Sequence, residues 1–228
     1  MSAAEEPLNT LRVPGQDSVG RILQLIALLA GMAVVCLGLL VIAGWYVGNQ
    51  TLVQVVPGFV PMQYNTALGF VCCGVAVLLL VRLRAGWAAA AGGAATLIGG
   101  LTLVEYLADV DLGIDQLLME HDITVQTSHP GRMAPNTAIC FVLTGLCAAV
   151  ARLNWRAAYR SLAQVVLASL VFGLASVPLS GYLTGLEAAY GWGDLTRMAV
   201  HTSAGFIGAS VGLIALQWSR DIEGPTVG

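Results

Sequence analysis

Residues 132–141 read Arg-Met-Ala-Pro-Asn-Thr-Ala-Ile-Cys-Phe, and the same pattern occurs at two other places in the chain. Residues 61–70 and 197–206 also contain Met, two spacers, Asn or His, Thr, a small residue, two more spacers and Phe. The Asn or His positions lie 71 and 65 residues apart, and each copy opens an apolar run that ends at an arginine. A pattern that recurs in this way indicates a repeated structural unit.

The composition is that of a membrane protein. The 228 residues are 57% hydrophobic and 10% charged, and the mean hydropathy is +0.79. Soluble domains have about 25% charged residues. Because this chain has far fewer, most of its surface is predicted to contact a lipid bilayer rather than water. The net charge is −3, whereas a nucleic-acid-binding protein has a basic surface. We therefore expect no nucleic-acid partner.

Hydropathy predicts six membrane-spanning helices at about residues 22–46, 65–81, 87–108, 137–151, 162–179 and 202–218. The second, fourth and sixth runs are shorter than the roughly 20 residues that span a bilayer. We therefore expect these helices to begin a turn or two earlier, within the Met-containing segments. The predicted fold is an all-α, polytopic bundle, residues 21–220, of three repeated helical hairpins at about residues 22–82, 86–152 and 160–219.

The arginines predict the orientation of this bundle. Eight fall on one side of the predicted membrane, and Arg132 and Arg197 fall on the other. Because short cytoplasmic loops are rich in arginine and lysine, residues 1–20 and 221–228 are predicted to be cytoplasmic tails. The expected location is a bacterial inner membrane, crossed several times.

A second register supports the repeat. Tyr46, Tyr106 and Tyr182 each lie at the outer end of an odd-numbered helix. Tyr46 and Tyr182 precede the repeat Asn or His by 19 residues, whereas Tyr106 precedes it by 30. We expect the middle hairpin to carry an insertion at roughly residues 115–126.

The repeat motif has a structural and a functional interpretation. Asn and Thr are good residues for the start of a helix, so the motif would begin the even-numbered helices at the outer face. Alternatively, its polar residues converge around an axis and bind a polar ligand. The candidate residues are Met62, Asn65, Thr66, Arg132, Met133, Asn136, Thr137, Arg197, Met198, His201 and Thr202.

A metal or haem site is an alternative to a site for a polar ligand. Met119, His121 and His129 lie in the long outer loop, and thioether and imidazole groups together suit Cu(I). The spacing matches no recognised metal signature, and the repeat methionines are expected to pack as adaptable apolar anchors. Bis-histidine haem normally takes its ligands from facing helices, so we expect no cofactor.

Polar residues at the outer face form a further candidate set, namely Glu105, Asp109, Asp111 and Glu187. Glu105 lies near the end of the third predicted helix, and an ionisable group within a membrane-spanning helix is a candidate functional residue. Alternatively, Glu105 forms an ion pair with Arg132 or Arg197. We expect these two arginines to pair with Asp109, Asp111, Glu187 or Asp194 and to hold the loops over the bundle.

Residues 106–118 and 130–138, with 181–186, 190–193 and 196–202, carry a resemblance to a known family. The chain resembles the N-terminal multi-helix membrane input region of bacterial histidine kinases and diguanylate cyclases that contain PAS domains. The resemblance covers about residues 20–218 and implies a signal-input role in the inner membrane. Members of that family continue into PAS, kinase or cyclase domains, whereas this sequence ends at Gly228.

The leading functional prediction is a non-enzymatic sensory or interaction module that binds a small ligand or a partner protein at its extracytoplasmic face. The sequence contains no phosphate-binding glycine loop, GxSxG or HExxH motif, and it has few charges within the apolar runs. An accessory subunit of a respiratory or photosynthetic membrane complex, or an oligomer, is the alternative. A third, less favoured hypothesis is a membrane protein that binds a metal or haem.

Overall fold

The computed structural model describes residues 16–120, 123, 125, 127–186, 189 and 194–224. This part of the chain is all-helical and contains no strand, which confirms the predicted class. Its seven helices are α1 (Gln16–Val47), α2 (Gln50–Gln54), α3 (Tyr64–Val81), α4 (Ala85–Ala108), α5 (Pro135–Val150), α6 (Ala157–Thr184) and α7 (Val200–Glu223). The short α2 is not predicted by hydropathy because it lies in a polar segment, where the Asn49 side chain accepts a hydrogen bond from the Leu52 amide.

Helices α3, α5 and α7 begin only one or two residues before the predicted starts. The expectation of one or two additional turns is therefore wrong. The residues that precede these helices have extended backbones, with ψ of 153° at Gln63, 149° at Ala134 and 151° at Ala199. Helices α6 and α7 are instead longer than predicted, since they continue through polar residues at their ends.

The two ends of the bundle differ in composition. The Arg220 side chain donates to the Leu80 carbonyl at 2.7 Å, and the Gln24 amide donates to Glu223 at 2.8 Å. These bonds bring the start of α1 and the ends of α3 and α7 to one end, here called the arginine end. The segments with Met62, Met133 and Met198 lie at the opposite end, here called the methionine end.

The six long helices form a ring of contacts. Helix α1 packs against α3, α4 against α5, and α6 against α7; α3 with α4, α5 with α6, and α1 with α7 complete the ring. Helices α3, α5 and α7 also contact one another. In the most apolar windows, 56% of α3 and 67% of α7 are buried, compared with 28% of α1, α4 and α6. Thus α3, α5 and α7 are inner helices, and α1, α4 and α6 surround them.

Three phenylalanine side chains occupy the centre of this arrangement. Phe70 lies 5.3 Å from Phe141 and 4.7 Å from Phe206, and Phe141 lies 4.8 Å from Phe206, measured between ring centroids. All three rings are fully buried, and their tilted or edge-to-face geometry is the favourable one for aromatic pairs. One ring comes from each inner helix, at the same position of the sequence repeat.

Five helices of the described chain are long and apolar enough to cross a membrane: α1, α3, α4, α6 and α7. Helix α5 is apolar but has only 16 residues. The exposed faces of the outer helices carry many leucine and valine side chains, which is consistent with contact between this surface and a lipid bilayer.

Glycine permits close packing of α4 on α5. A Cβ atom at Gly99 would lie 2.5 Å from the Ala138 carbonyl oxygen, whereas a Cβ at Gly100 would meet nothing within 4 Å. The glycine pairs of α4 therefore have one member that faces α5 and one that does not, and such small residues allow two helix backbones to approach closely.

We predict that Gly99→Ala lowers the free energy of unfolding by about 1–3 kcal/mol, because the added methyl group separates two helix backbones. Gly100→Ala is the matched control, and it should be neutral or slightly stabilising because alanine favours helix. Thermal unfolding of the two purified variants in one detergent measures the difference. Equal midpoints for both variants would contradict the packing.

Candidate functional site

An aromatic side chain on each outer helix donates a hydrogen bond to the carbonyl of the repeat methionine. Trp45 Nε1 donates to Met62 O at 3.0 Å, Tyr106 Oη to Met133 O at 3.0 Å, and Tyr182 Oη to Met198 O at 2.9 Å. All three tyrosines of the predicted register lie at the ends of their helices. In the first copy, however, Trp45 makes this hydrogen bond instead of the neighbouring Tyr46. Indole N–H and phenol O–H both supply a donor on an apolar ring.

Tyr46 makes a different contact from Tyr106 and Tyr182. Its hydroxyl lies 3.2 Å from the hydroxyl of Tyr64, and the two rings meet edge to face with centroids 6.0 Å apart. Tyr64 is the first residue of α3, so this pair joins the ends of α1 and α3 at the methionine end.

The repeat Asn and His residues lie in the first turn of the inner helices, as predicted, but they are not the N-caps. The N-caps are Gln63, Ala134 and Ala199, and none of these makes a side-chain capping hydrogen bond. The first amide groups of a helix need partners from outside the helix. Three helix N-termini without side-chain caps therefore lie together at the methionine end.

The face of each inner helix that points to the axis follows from the phenylalanines. Positions four and seven residues before a given residue lie on nearly the same face of a helix. These positions are Thr66, Thr137 and Thr202 in one layer and Gln63, Ala134 and Ala199 in the next. All six residues are buried, so a threonine layer lies between the phenylalanines and the helix N-termini.

Gln63 is buried without a hydrogen-bond partner. It is 2% exposed, and neither atom of its amide group has a partner. His201 is 9% exposed, and the backbone of Val53 in α2 is a hydrogen-bonding neighbour of its ring. Leaving a buried polar group without a partner costs about 1–3 kcal/mol. Sequence reasoning did not single out Gln63, because its counterparts in the other copies are alanines.

The other repeat polar residues satisfy one another locally. Asn136 Oδ1 accepts a hydrogen bond from the Thr137 amide at 3.0 Å, and the Thr66 hydroxyl lies 3.5 Å from Asn65 Oδ1. Asn65, Asn136 and His201 are five residues before the phenylalanines, about 140° around each helix from the axis-facing position. The threonines, rather than the Asn and His residues, therefore share the axial face.

The repeat methionines belong to the apolar core. Met62, Met133 and Met198 are each 1% exposed and pack in one cluster with the three phenylalanines. This placement confirms the prediction that they are apolar anchors. Met119 lies elsewhere, beside Trp45 and Tyr46 in an outer pocket, and the exposed His129 contacts the Ser128 hydroxyl at 3.2 Å. His121 lies outside the described residues.

Segments between the helices cross over the methionine end. Phe59 contacts Tyr182 of α6 with ring centroids 5.2 Å apart. The amide of Ser128, from the long loop between α4 and α5, donates to the Thr196 hydroxyl at 3.1 Å. These contacts join different hairpins, so the loops cover the axial polar groups.

Arg132 connects the long loop to the end of α4. Its Nε atom donates to Asp115 Oδ2 at 2.7 Å and lies 3.5 Å from Glu105 Oε2, and its Nη2 lies 4.0 Å from Asp111 Oδ1. The guanidinium carbon also lies 5.4 Å from the centroid of the Tyr106 ring. The predicted ion pairs of Arg132 with Glu105 and Asp111 are confirmed, and we call this group the Arg132 latch.

The latch includes one residue that the sequence did not identify, and Asp109, one of the suggested partners, is not among the residues that it joins. Asp115 is its closest partner, although nothing in its polar surroundings distinguishes it from other acidic residues of the loop. Asp109 is the left-handed C-cap of α4, with φ of 51°. Glu187 lies outside the described residues.

Glu105, Asp111 and Asp115 each offer an oxygen within 4.8 Å of the others. Arg132 contacts all three, so the cluster is explained by an ion pair. Glu105 Oε2 and Asp115 Oδ1 are buried without hydrogen-bond partners. One proton held between these two atoms would provide each with a partner.

Asp115 lies outside the membrane-spanning helices, and its protonation depends on its burial. Burial raises its pKa above the ordinary value, and the hydrogen bond and charge of Arg132 offset this only in part. Burial lowers the pKa of Arg132, but Asp115 and Glu105 more than compensate, so the pKa of Arg132 is raised. Arg132 is consequently charged at every physiological pH.

No family model matches the chain, and no curated protein or solved structure matches it. The resemblance to the membrane input regions of histidine kinases and diguanylate cyclases therefore stays a prediction. The structural features that bear on function are the buried polar groups at the methionine end and the Arg132 latch.

We predict that the stability of the protein falls as the pH rises through the pKa of Asp115. The folded-state pKa lies above the unfolded-state value, so the folded state binds the proton more tightly, and raising the pH removes that advantage. Thermal unfolding between about pH 4 and pH 7 measures this slope. Asp115→Asn should reduce the slope because the amide does not titrate.

Asp111→Asn is the control for this prediction. The Asp111 side chain is 78% exposed, so its replacement should leave the slope nearly unchanged. A wild-type stability that increases with pH over this interval would contradict the account, as would equal effects of the two substitutions.

Proposed function

We propose that the chain is a six-span membrane module, made of three helical hairpins around a pseudo-threefold axis, that binds a small polar ligand at its methionine end. The recurring contacts support the repeat: each hairpin contributes one axial phenylalanine and one aromatic donor to a methionine carbonyl. Helix α5 would be the sixth span. Its 16 residues extend about 24 Å, which suffices for a helix that packs inside the bundle.

The distribution of arginine supports an orientation with the arginine end in the cytoplasm. Of the described arginines, Arg132 and Arg197 lie at the methionine end, whereas the other described arginines flank helix ends at the arginine end. Arginine-rich loops are retained on the cytoplasmic side of a bacterial inner membrane. The ligand would then reach its site from the extracytoplasmic side.

The observation that carries the proposed binding function is the burial of the Gln63 amide group without a hydrogen-bond partner. A membrane protein that served only as packing material would gain stability by replacing such a group with an apolar one. Functional sites are where proteins retain destabilising groups. Gln63 is the N-cap of an inner helix, at the end that the loops cover.

The chemistry of the surroundings indicates what kind of ligand would fit. The axial threonines and those first-turn amides of the inner helices that have no side-chain partner offer hydrogen-bond donors, and the Gln63 amide offers both a donor and an acceptor. The Thr137 amide is not among these donors, because it already donates to Asn136. Helix N-termini also favour negative charge. The ligand should therefore be small and rich in acceptors, such as a monovalent anion or a neutral carbonyl compound.

Binding of this kind suits a sensory input rather than an enzyme. The axial groups include a glutamine and three threonines, with no paired acid and base aligned on a common space. Loops from different hairpins meet over the site, so occupancy would stabilise one arrangement of the three hairpins. We propose that this arrangement is the signal passed to a partner protein.

The proposal predicts opposite effects on stability and on binding. Gln63→Leu should raise the thermal unfolding midpoint, because it removes a buried polar group that has no partner. The same substitution should abolish stabilisation by the ligand. A thermal-shift assay with chloride, nitrate, formate, acetate, urea and acetamide tests both effects, and at least one compound should stabilise the wild-type protein alone.

Gln164→Leu is the matched control for this substitution. Gln164 is equally buried, but its Nε2 donates to the Cys147 carbonyl at 3.0 Å, so its replacement should be destabilising while ligand stabilisation persists. If Gln63→Leu destabilises the protein as much as Gln164→Leu does, and no compound stabilises the wild type, the binding proposal fails. An accessory subunit would instead co-purify with a stoichiometric membrane partner in mild detergent.

A further inference from the structure

The first turns of α6 carry an apolar groove on the outer surface of the bundle, at the arginine end. The groove has a volume of about 580 Å³, and it is lined by Trp155, Arg156, Tyr159, Leu162, Ala163 and Val166. The last four of these recur at spacings of three and four residues and therefore share one helical face. Helix α6 packs against α5 and α7 among the described helices, which leaves this face open.

The groove side chains have the character of a membrane interface. Trp155 is 51% exposed, Tyr159 60% and Leu162 60%. Tryptophan and tyrosine are enriched where the hydrocarbon region meets the headgroups, and leucine and valine follow them along α6 toward the bilayer centre. An acyl chain that lies along this face would thus have its headgroup near the start of α6.

Three arginines lie at that start. Arg152 precedes the helix, Arg156 is its N-cap, and Arg160 follows one turn later. None of these three arginines forms an ion pair with a described residue. The nearby Asp221 of α7 instead accepts a hydrogen bond from Ser161 at 2.9 Å.

We propose that this groove is a binding site for an anionic phospholipid. The acyl chain packs on the α6 face between Trp155 and Val166, and Arg156 and Arg160 bind the headgroup phosphate. A zwitterionic lipid satisfies the apolar face but provides no net charge to neutralise the arginines. Basic pockets beside membrane-spanning helices are recognition sites for anionic headgroups, and the planar guanidinium suits phosphate in particular.

Native mass spectrometry of the purified protein tests the proposal, with phosphatidylglycerol and phosphatidylcholine of identical acyl chains present in equal amounts. We expect one retained lipid with roughly a tenfold preference for phosphatidylglycerol. Arg156→Gln with Arg160→Gln should reduce this preference to about twofold or less. Arg82→Gln with Arg84→Gln removes the same charge from the end of α3, outside the groove, and should leave the preference unchanged.

Ala163→Trp provides a second variant that leaves the charge unchanged. Its indole would fill the groove, so the retained lipid should be lost while the thermal midpoint remains close to the wild-type value. An equal retention of the two lipids by the wild-type protein would overturn the proposal. So would an equal loss of preference in the two double-arginine variants, which would indicate a diffuse charge effect, or unchanged lipid retention by Ala163→Trp.

Discussion

The contact among Phe70, Phe141 and Phe206 is the constraint on which the rest of the structure depends. Three rings can meet with centroids no more than 5.3 Å apart only if the three inner helices approach to similar distances and place the same repeat position at the same depth. Small residues allow this approach: a Cβ atom at Gly69 would overlap the Phe141 ring. The equal depth of Met62, Met133 and Met198, each at 1% exposure, follows from the same alignment.

The alignment of the three inner helices also explains the structure of the methionine end, where polar side chains are buried and hydrogen bonds join the inner helices to the outer ones. Each methionine carbonyl precedes an inner helix and receives a donor from the adjacent outer helix, so the chain enters the inner helices in an extended conformation. Gln63 and the threonine layer are buried at this same end of the bundle. The middle hairpin differs by its long loop, which the Arg132 latch holds to the end of α4.

Much of this fold could be predicted from the sequence, because a repeat and a lack of charge are long-range signals. The apolar runs locate all six long helices. Details of one or two residues could not be predicted. Hydropathy does not show whether the helix cap is Gln63 or Asn65. It also does not show that Trp45 makes the hydrogen bond that Tyr106 and Tyr182 make in the other copies.

The candidate site was predicted less completely than the fold. The repeat motif pointed to the correct end of the bundle and to the threonines, but not to Gln63, whose counterparts are alanines. Asp115 is one of several acidic residues in a polar loop, and only the three-dimensional path of that loop buries it against Arg132. Burial of a polar group within a loop depends on distant contacts, such as that between Ser128 and Thr196, which a single sequence does not reveal.

The most direct test of this account is whether α5 crosses the membrane, because six spans in three hairpins require it. In a variant whose five native cysteines are replaced, single cysteines at Ser128 and Asn154 would flank α5, and both positions are exposed. A membrane-impermeant maleimide applied to intact spheroplasts should label Ser128→Cys but should label Asn154→Cys only after permeabilisation. Labelling of both positions from the same side would contradict the six-span arrangement.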